Sequence, residues 1–254
     1  MNQITALIPT LNEEHNLPGC LESVRWADEI LVVDSFSTDR TVEIAQSFGA
    51  RVIQREYGSH ASQRNWAIPQ ASHPWVLLLD ADEQCSPELH QEIRAILEKG
   101  PDYKLYKIHR WNYFLGHLQR HGDWGNDWVI RFFHRNSAIF EECGTFHGEI
   151  RITEPIGRLT NPIVHHPYVN VEEYFNKFNR YTTDAALHLL QQGKKFSTID
   201  IVSRPLWRFI RSYFLRLGFL DGVAGFIVCA LAGMYGFVKY AKLWAIDSGR
   251  KCHA

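Results

Sequence analysis

The chain has 254 residues, of which 45% are hydrophobic and 22% charged, and its formal net charge at pH 7 is −1. This composition is that of a folded protein with one large domain, or one domain and an appendage. A net charge so close to zero gives no general support for nucleic acid as a partner. Five scattered cysteines without metal-ligand spacing indicate reduced thiols in a cytoplasmic setting, and no signal peptide is predicted at the N-terminus.

Strands and helices are predicted to alternate with short loops over the first hundred residues. Apolar runs predict strands at 4–9, 29–34, 51–56 and 75–79. Helical spacing and capping residues predict helices at 17–26, 41–48, 62–68 and 86–99. Pro9 is expected to end the first strand. This succession of β and α elements predicts an α/β fold whose sheet is mainly parallel and flanked by helices.

An acidic cluster directly follows the fourth predicted strand, in the order Asp80, Ala81, Asp82 and Glu83. Unpaired carboxylates are costly to bury, so we expect this cluster at the mouth of the strand, facing water or a cation. Ligands of open α/β sheets bind at this carboxyl edge. Hard oxygen ligands there predict Mg²⁺ or Mn²⁺ on a nucleotide diphosphate, with Asp82 as the metal ligand. The plainer alternative is a solvated turn followed by a helix cap.

Residues 103–152 have a less regular pattern, with strands of mixed burial around a loop at 121–128 that is rich in Gly, Asp and Trp. Such a composition is typical of a binding loop rather than of a core segment. His165 and His166 come after this region. A histidine in such a place is more often a structural hydrogen-bonding group than a ligand, but one of this pair could reach the cation.

From about residue 171 onward the chain is predicted to be helical. Arg204, Arg208 and Arg211 recur at helical spacing, and the uncharged run 222–238 is as long as a short membrane span. A buried hairpin helix, a pair of helices seated in the membrane interface, and a true span are the three alternatives. Basic residues before the run and Lys, Tyr and Trp after it favour the interface. Asp221 and several glycines argue against a span.

Four motifs in the first hundred residues occur in a family-specific order. The motifs IPTLNEE, VVDSFSTDRT, SQRNWAI and LLLDADE resemble those of the inverting family-2 glycosyltransferases, which have the GT-A (nucleotide-diphospho-sugar transferase) fold. This sequence departs from the family at Ser35 and Phe36, where Asp-Gly is common.

The later part of the chain is similar to a narrower subgroup, which includes the lipopolysaccharide inner-core β-1,4-glucosyltransferases. Its members have a Trp-rich segment followed by Arg-x-Phe-x-Arg and a His-Glu pair. The corresponding residues here begin at Arg131 and end at Arg135, and the His-Glu pair appears as His147-Gly148-Glu149, with an inserted glycine. The resemblance implies a nucleotide-sugar-binding half at 1–100 and an acceptor-binding half at 101–168. Residues 169–254 would form a helical, membrane-associated region.

The resemblance also implies roles for single residues. Asp34 would hydrogen-bond the uracil edge, Asp80 would face the ribose or sugar, and Asp82 would hold the cation. Glu83 is expected to be a helix-entry residue without a chemical role. The residues expected to bind the nucleotide-sugar are Pro9, Thr10, Glu13, Asp34, Arg64 and Asp80.

An acceptor hydroxyl must lose its proton as it attacks the sugar, so a base is needed on the face opposite the leaving group. Glu149 is the first candidate for this base, and Asp127 is the alternative. The resemblance implies a metal-dependent transferase at the cytoplasmic face of the plasma membrane. It would move a sugar, with UDP-glucose as the favoured donor, to a hydroxyl of a lipopolysaccharide-core or other surface-glycan acceptor.

Three other functions remain open at the level of sequence. The acceptor could be a glycan linked to a polyprenyl phosphate. A glycoside hydrolase would use two carboxylates about 5–9.5 Å apart, usually on separate elements, whereas Asp80 and Asp82 leave one strand together. A non-catalytic scaffold could keep the nucleotide-binding fold without turnover.

Overall fold

The computed structural model describes residues 2–141 and 149–249, with only the backbone of Glu149. The chain forms two compact units. The first consists of Met1–Trp111 and Trp128–His165, and the second of Asn112–Asp127 and His166–Ala254. This division differs from the predicted acceptor half at 101–168, because residues 112–127 group with the C-terminal helices. The reason is aromatic packing, since rings from that segment share a core with rings from the helices.

The predicted alternation of strands and helices is confirmed in the first hundred residues. The helices there are α1 (Leu17–Ser23), α2 (Thr41–Ser47), α3 (His60–Ala67) and α4 (Pro87–Lys99). The strands in the described part of the chain are β1 (Ile4–Thr10), β2 (Glu29–Asp34), β3 (Arg51–Gln54), β4 (Trp75–Leu78), β5 (Glu83–Cys85), β6 (Leu105–Phe114), β7 (His117–Leu118), β8 (Trp128–His134), β9 (Phe140–Glu141), β10 (Glu149–Ile150), β11 (Ile156–Arg158) and β12 (Ile163–His165).

The main sheet has the strand order β3-β2-β1-β4-β8-β6-β12-β5. The first four of these strands are parallel, whereas β8 runs antiparallel to both β4 and β6. Parallel pairing sets Thr10 beside Asp34 and Leu7 beside Leu78. The carboxyl ends of β1, β2 and β4 therefore meet at one edge, and the acidic residues that follow them lie there, as predicted.

Both faces of the parallel strands are covered by helices. Successive side chains of a strand point to opposite faces. Ile4 and Ile8 accordingly join the core formed with α1 and α4, while Leu7 and Leu31 pack on the other face, where α3 lies. Burial on both faces is why these strands are continuous apolar runs in the sequence.

Two local predictions in this unit are wrong. The strand β1 does not end at Pro9 but continues to Thr10, because the φ angle fixed by proline suits extended backbone near the end of a strand. Glu83 is not at a helix entry, since it begins β5, which pairs antiparallel with β12. The following helix α4 is instead capped by Ser86, whose hydroxyl accepts a hydrogen bond from the Leu89 amide at 3.1 Å.

The second unit is built on the helices α5 (Val171–Gln191), α6 (Thr198–Ile210) and α7 (Gly222–Asp247). A π-helical turn, Arg211–Leu215, and a 3₁₀ turn, Gly218–Asp221, connect α6 to α7. The glycines of α7 were expected to interrupt a membrane span. In the structure they allow α7 to pack closely against α6 and against the turn that precedes α7. A Cβ atom at Gly225 would lie 2.1 Å from the Gly218 carbonyl oxygen, and one at Gly236 would lie 3.4 Å from Pro205 Cα.

The hairpin formed by α6 and α7 exposes many apolar side chains. Within the described residues, one helical stretch, Gly218–Asp247, is long and apolar enough to cross a membrane by length and composition, and only 28% of its most apolar part is buried. A helix buried in the core would be covered more completely, so this exposure favours the other two alternatives over the buried hairpin. On α7 the exposed apolar residues recur at helical spacing and form one stripe: Val223, Phe226, Ile227, Met234, Phe237 and Trp244.

Candidate active site

The loops after β1 and β2 are joined by hydrogen bonds between residues of the two motifs. The side-chain oxygen of Asn12 accepts from the Thr38 amide at 2.8 Å, and the hydroxyl of Thr41 accepts from the Glu13 amide at 2.8 Å. The carboxylate of Glu13 also accepts from the Asn16 side chain at 2.8 Å. These hydrogen bonds between the polar residues of the two loops therefore build the frame of a cleft at the sheet edge.

Asp34 lies at the end of β2 and is completely buried. Its carboxylate accepts hydrogen bonds from the amide and hydroxyl of Ser37 and from the Gln54 side chain at 3.0 Å. The Thr10 hydroxyl lies 3.5 Å away. These donors satisfy a buried charge that would otherwise be costly. Asp34 thus has a structural role in this turn, and its contact with a uracil ring stays a prediction.

Phe36 occupies the position where the family commonly has glycine, and its backbone shows why. Its φ angle is 61°, in the left-handed region, which costs an L-residue about 1–2 kcal/mol. Glycine adopts this conformation without strain. The Phe36 side chain is 55% exposed, so packing of the ring does not offset that strain. An exposed ring therefore stands beside Asp34 at the predicted nucleotide-binding edge.

Asp80 is held by two buried arginines. Arg64 on α3 donates to both oxygens of its carboxylate, at 2.9 and 3.3 Å, and Arg131 on β8 donates to one of them. Burial lowers the pKa of Arg64, and the charge of Asp80 partly offsets this effect. Arg64 therefore fixes the orientation of Asp80, whose side chain remains 26% exposed.

Glu83 has a role that sequence reasoning missed. It is fully buried and accepts from Arg110 and Arg131, each at 2.9 Å. Its other oxygen accepts from the Asp80 amide at 3.0 Å. Burial alone would lower the pKa of Arg131, but the charges of Asp80 and Glu83 raise it above its usual value. Not all three carboxylates face water, because Glu83 is neutralised by arginines inside the protein.

Asp82 has a different environment from its two neighbours. Its carboxylate oxygen Oδ1 lies 3.5 Å from Nε2 of His165, and both side chains remain partly accessible, at 17% and 15%. Pairing of β5 with β12 brings the two residues together, since Glu83 is the register partner of His165. A carboxylate oxygen and an imidazole nitrogen with access to solvent are a chemically suitable start for a divalent cation site.

The contacts of the described residues test neither of the two predicted bases. The side chain of Glu149, together with His147 and Gly148, lies outside the described residues. Asp127 belongs to the second unit, where its carboxylate accepts from the Asn112 side chain at 3.0 Å. Either assignment therefore stays a prediction.

Comparisons with known proteins agree with this architecture. The model of the family described as Glycosyl transferase family 2 matches residues 5–154. The chain is 30% identical over 254 residues to an uncharacterized glycosyltransferase of Rickettsia typhi, covering 96% of this chain and 87% of that protein. It is 27% identical over 247 residues to the lipopolysaccharide core biosynthesis glycosyltransferase LpsC of Rhizobium meliloti, covering 95% and 92%.

One solved structure shows the same fold over the full chain. The crystal structure of S. aureus TarS 1-349 in complex with UDP-GlcNAc matches with a TM-score of 0.51 and 14% sequence identity, covering 99% of this chain and 93% of TarS. Identity this low supports similarity of fold and nothing finer. The family model covers more than half of the chain, and the relatives align over nearly all of it. The chain is therefore a glycosyltransferase that belongs to family 2 and has the GT-A fold.

Proposed function

We propose that this glycosyltransferase moves a sugar from a uridine diphosphate sugar, with UDP-glucose favoured, to a hydroxyl of a lipopolysaccharide-core or other surface-glycan acceptor. The observation that carries the proposal is that the three carboxylates of the acidic cluster have different partners. Arginines neutralise Asp80 and Glu83, whereas Asp82 lies beside His165. LpsC, which aligns with nearly the whole chain, is a lipopolysaccharide core biosynthesis enzyme, and this supports the acceptor class.

The donor would bind along the edge formed by β1, β2 and β4. In this proposal the nucleoside contacts come from Pro9, Thr10 and Glu13, and the uracil contact from Asp34. Asp80 would face the ribose or the sugar, with Arg64 as the residue that orients it. The hydrogen bonds that join the two loops support this assignment, because a preorganised cleft loses less entropy on binding.

Mg²⁺ or Mn²⁺ is the proposed cofactor, with Asp82 and His165 as its protein ligands. Within residues 2–141 and 149–249 no cluster of three or more His, Cys, Asp or Glu side chains could hold a metal alone. The remaining ligands would be diphosphate oxygens and water, as is usual for these cations. The cation would supply Lewis-acid stabilisation of the leaving diphosphate. Glu149, or in its place Asp127, would accept the proton of the acceptor hydroxyl.

A donor screen tests the proposed function. In the presence of Mn²⁺, UDP-glucose should raise the unfolding temperature of the purified protein more than other nucleotide sugars, and EDTA should abolish the shift. A free donor concentration of about 100 times Kd stabilises the folded protein by about 2.7 kcal/mol, which is readily measured. Sugar transfer to lipopolysaccharide-core acceptors should then follow the same donor preference. Release of sugar from a glycan without a nucleotide donor would point to a hydrolase, and donor binding without turnover across acceptors would point to a scaffold.

We further propose that the protein associates peripherally with the inner face of the plasma membrane through the exposed hairpin of α6 and α7. Support comes from the turn between these helices, where Phe214, Leu215, Leu217, Phe219 and Leu220 are each 43–62% exposed. An apolar patch of this extent is costly in water and is typical of a membrane or protein contact. The stripe on α7 continues the same surface.

Replacing Leu220 and Val223 together by Ser should weaken binding to phospholipid vesicles by at least about tenfold, because burying a large apolar side chain contributes about 1.5–3 kcal/mol. Co-sedimentation with vesicles measures the affinity. The matched control is a double Ser variant of Val169 and Val171, which are also exposed but lie outside the hairpin. Equal binding by both double variants would contradict the proposed membrane surface.

A further inference from the structure

Three elements of the second unit bring basic side chains to the ring of Tyr240. Lys239 on α7 places its Nζ atom 4.8 Å from the ring centroid. Arg204 on α6 and Lys194, which follows α5, each place their charged group 5.9 Å from it. Tyr240 is itself buried. Because the three cations converge on one ring, they are also near one another, and like charges at short range repel.

A fourth cation, Arg208, extends this group along α6. Its guanidinium lies 5.6 Å from the ring centroid of Tyr235. The carboxylate closest to it is Asp123, at 3.7 Å, but that carboxylate already accepts two bonds from Arg211 and one from Arg216, all at 2.8–3.0 Å. The buried Nε atom of Arg208 has no hydrogen-bond partner among the described residues. One shared carboxylate therefore leaves Arg208 incompletely neutralised.

The carboxylates within reach do not balance this cluster. Asp200 accepts from Arg204 at 2.6 Å and lies 3.6 Å from Lys194. No carboxylate in the described part of the chain lies within 4 Å of the Lys239 amine. Burial, and then the charges of Arg208, Arg204 and Lys194, lower the pKa of Lys239, against a smaller opposing effect of Asp200. An anion bound among these side chains would relieve both the repulsion and the unmet hydrogen bond.

A cavity of about 120 Å³ adjoins this basic cluster, and Arg208 is one of its walls. Tyr174, another lining residue, is buried, and this burial raises the pKa of its hydroxyl to about 12. The remaining walls are mainly aromatic and aliphatic, and include Phe114, Trp124, Phe178, Val228 and Tyr235. An anion held at Arg208 would therefore have room for an attached apolar group in the cavity, rather than for a second charge.

We propose that Arg204, Arg208 and Lys239 bind the phosphate group of an anionic amphiphile, and that the adjoining cavity takes part of its apolar portion. Arginine and lysine are suited to phosphate because charge-assisted hydrogen bonds to it are short and strong. The exposed apolar surface of the same helices would keep such a molecule close by. The site belongs entirely to the second unit and does not depend on the identity of the sugar donor.

The probes are three soluble molecules, namely inorganic phosphate, dihexanoyl phosphatidic acid and dihexanoyl phosphatidylcholine, added below their micelle-forming concentrations. Calorimetric titration should show that phosphatidic acid binds the wild-type protein at least about tenfold more tightly than either of the others. Lys239→Gln should weaken that binding by about tenfold, since it removes a charged hydrogen-bond donor. Lys195→Gln removes the same charge from an exposed neighbouring position and should leave the affinity unchanged.

Lys239→Arg shows whether weaker binding by Lys239→Gln comes from loss of the positive charge or from misfolding. It keeps the cation and should therefore keep the affinity for phosphatidic acid. Equal weakening by Lys239→Gln and Lys195→Gln would overturn the site in favour of general electrostatic attraction. Phosphatidylcholine that binds as tightly as phosphatidic acid would overturn the phosphate contact. Inorganic phosphate that binds as tightly as phosphatidic acid would overturn the role of the cavity.

Discussion

Asp82→Asn is expected to lower kcat/KM for sugar transfer by about a thousandfold, which corresponds to about 4 kcal/mol of lost transition-state stabilisation. The substitution keeps the size of the side chain but removes the negative charge that would attract a divalent cation. The folded protein should be little affected, because Asp82 is partly exposed and asparagine has nearly the same size and shape. Initial rates over a range of UDP-glucose concentrations, each measured at several Mn²⁺ concentrations, give kcat/KM and its dependence on the metal.

Asp102→Asn provides the matched control, since Asp102 is an exposed aspartate in the same unit. It should transfer sugar at the wild-type rate. His165→Gln should raise the Mn²⁺ concentration needed for half-maximal activity while leaving the rate at saturating metal closer to wild type. A turnover of Asp82→Asn equal to that of the control would exclude Asp82 as the metal ligand.

Arg131→Met is expected to lower the free energy of unfolding by about 3–5 kcal/mol, the usual cost of removing one partner from a buried ion pair. Arg131 is buried and donates to both Asp80 and Glu83. Its removal leaves Glu83, which is completely inaccessible, with Arg110 as its remaining arginine partner in the described residues. Urea denaturation followed by circular dichroism measures the change.

Arg25→Met is the comparison for this effect, because Arg25 pairs with Glu22 on the surface of the protein. Surface pairs contribute little, so this variant should unfold at nearly the wild-type urea concentration. A double variant with Arg131→Met and Glu83→Leu should recover part of the lost stability, since it no longer buries a carboxylate that has lost one of its two arginine partners. Equal midpoints for Arg131→Met and Arg25→Met would contradict the buried network.

Several elements could be predicted from the sequence because their signals are local. The strand β2 has the predicted bounds at 29–34. A strand that is covered on both faces needs apolar residues at successive positions, so the apolar run in the sequence marks the strand directly. The helix α4 could be predicted from Ser86, Pro87 and Gly100, which act within a few residues of its ends. The four ordered motifs were enough to identify the family and the GT-A fold.

The strand β5 could not be predicted in this way, because three residues have no periodicity and their partner strand lies about 80 residues later in the chain. The candidate base likewise has no local sequence pattern that identifies it. Asp127 and Glu149 are ordinary acidic residues in sequence, and neither has a neighbouring pattern that indicates catalysis. Their assignment still depends on the resemblance.

The sequence by itself determined that three carboxylates follow a buried strand at the edge of a parallel sheet. Only the tertiary structure decided that these three carboxylates have different charged partners. Arg110 and Arg131, which lie 27 and 48 residues after Glu83, fold back to neutralise it, while β12 brings His165 to Asp82. The physical reason is that backbone conformation and burial depend largely on residues adjacent in sequence. The energy of a charge depends instead on which opposite charges the fold brings within a few ångströms.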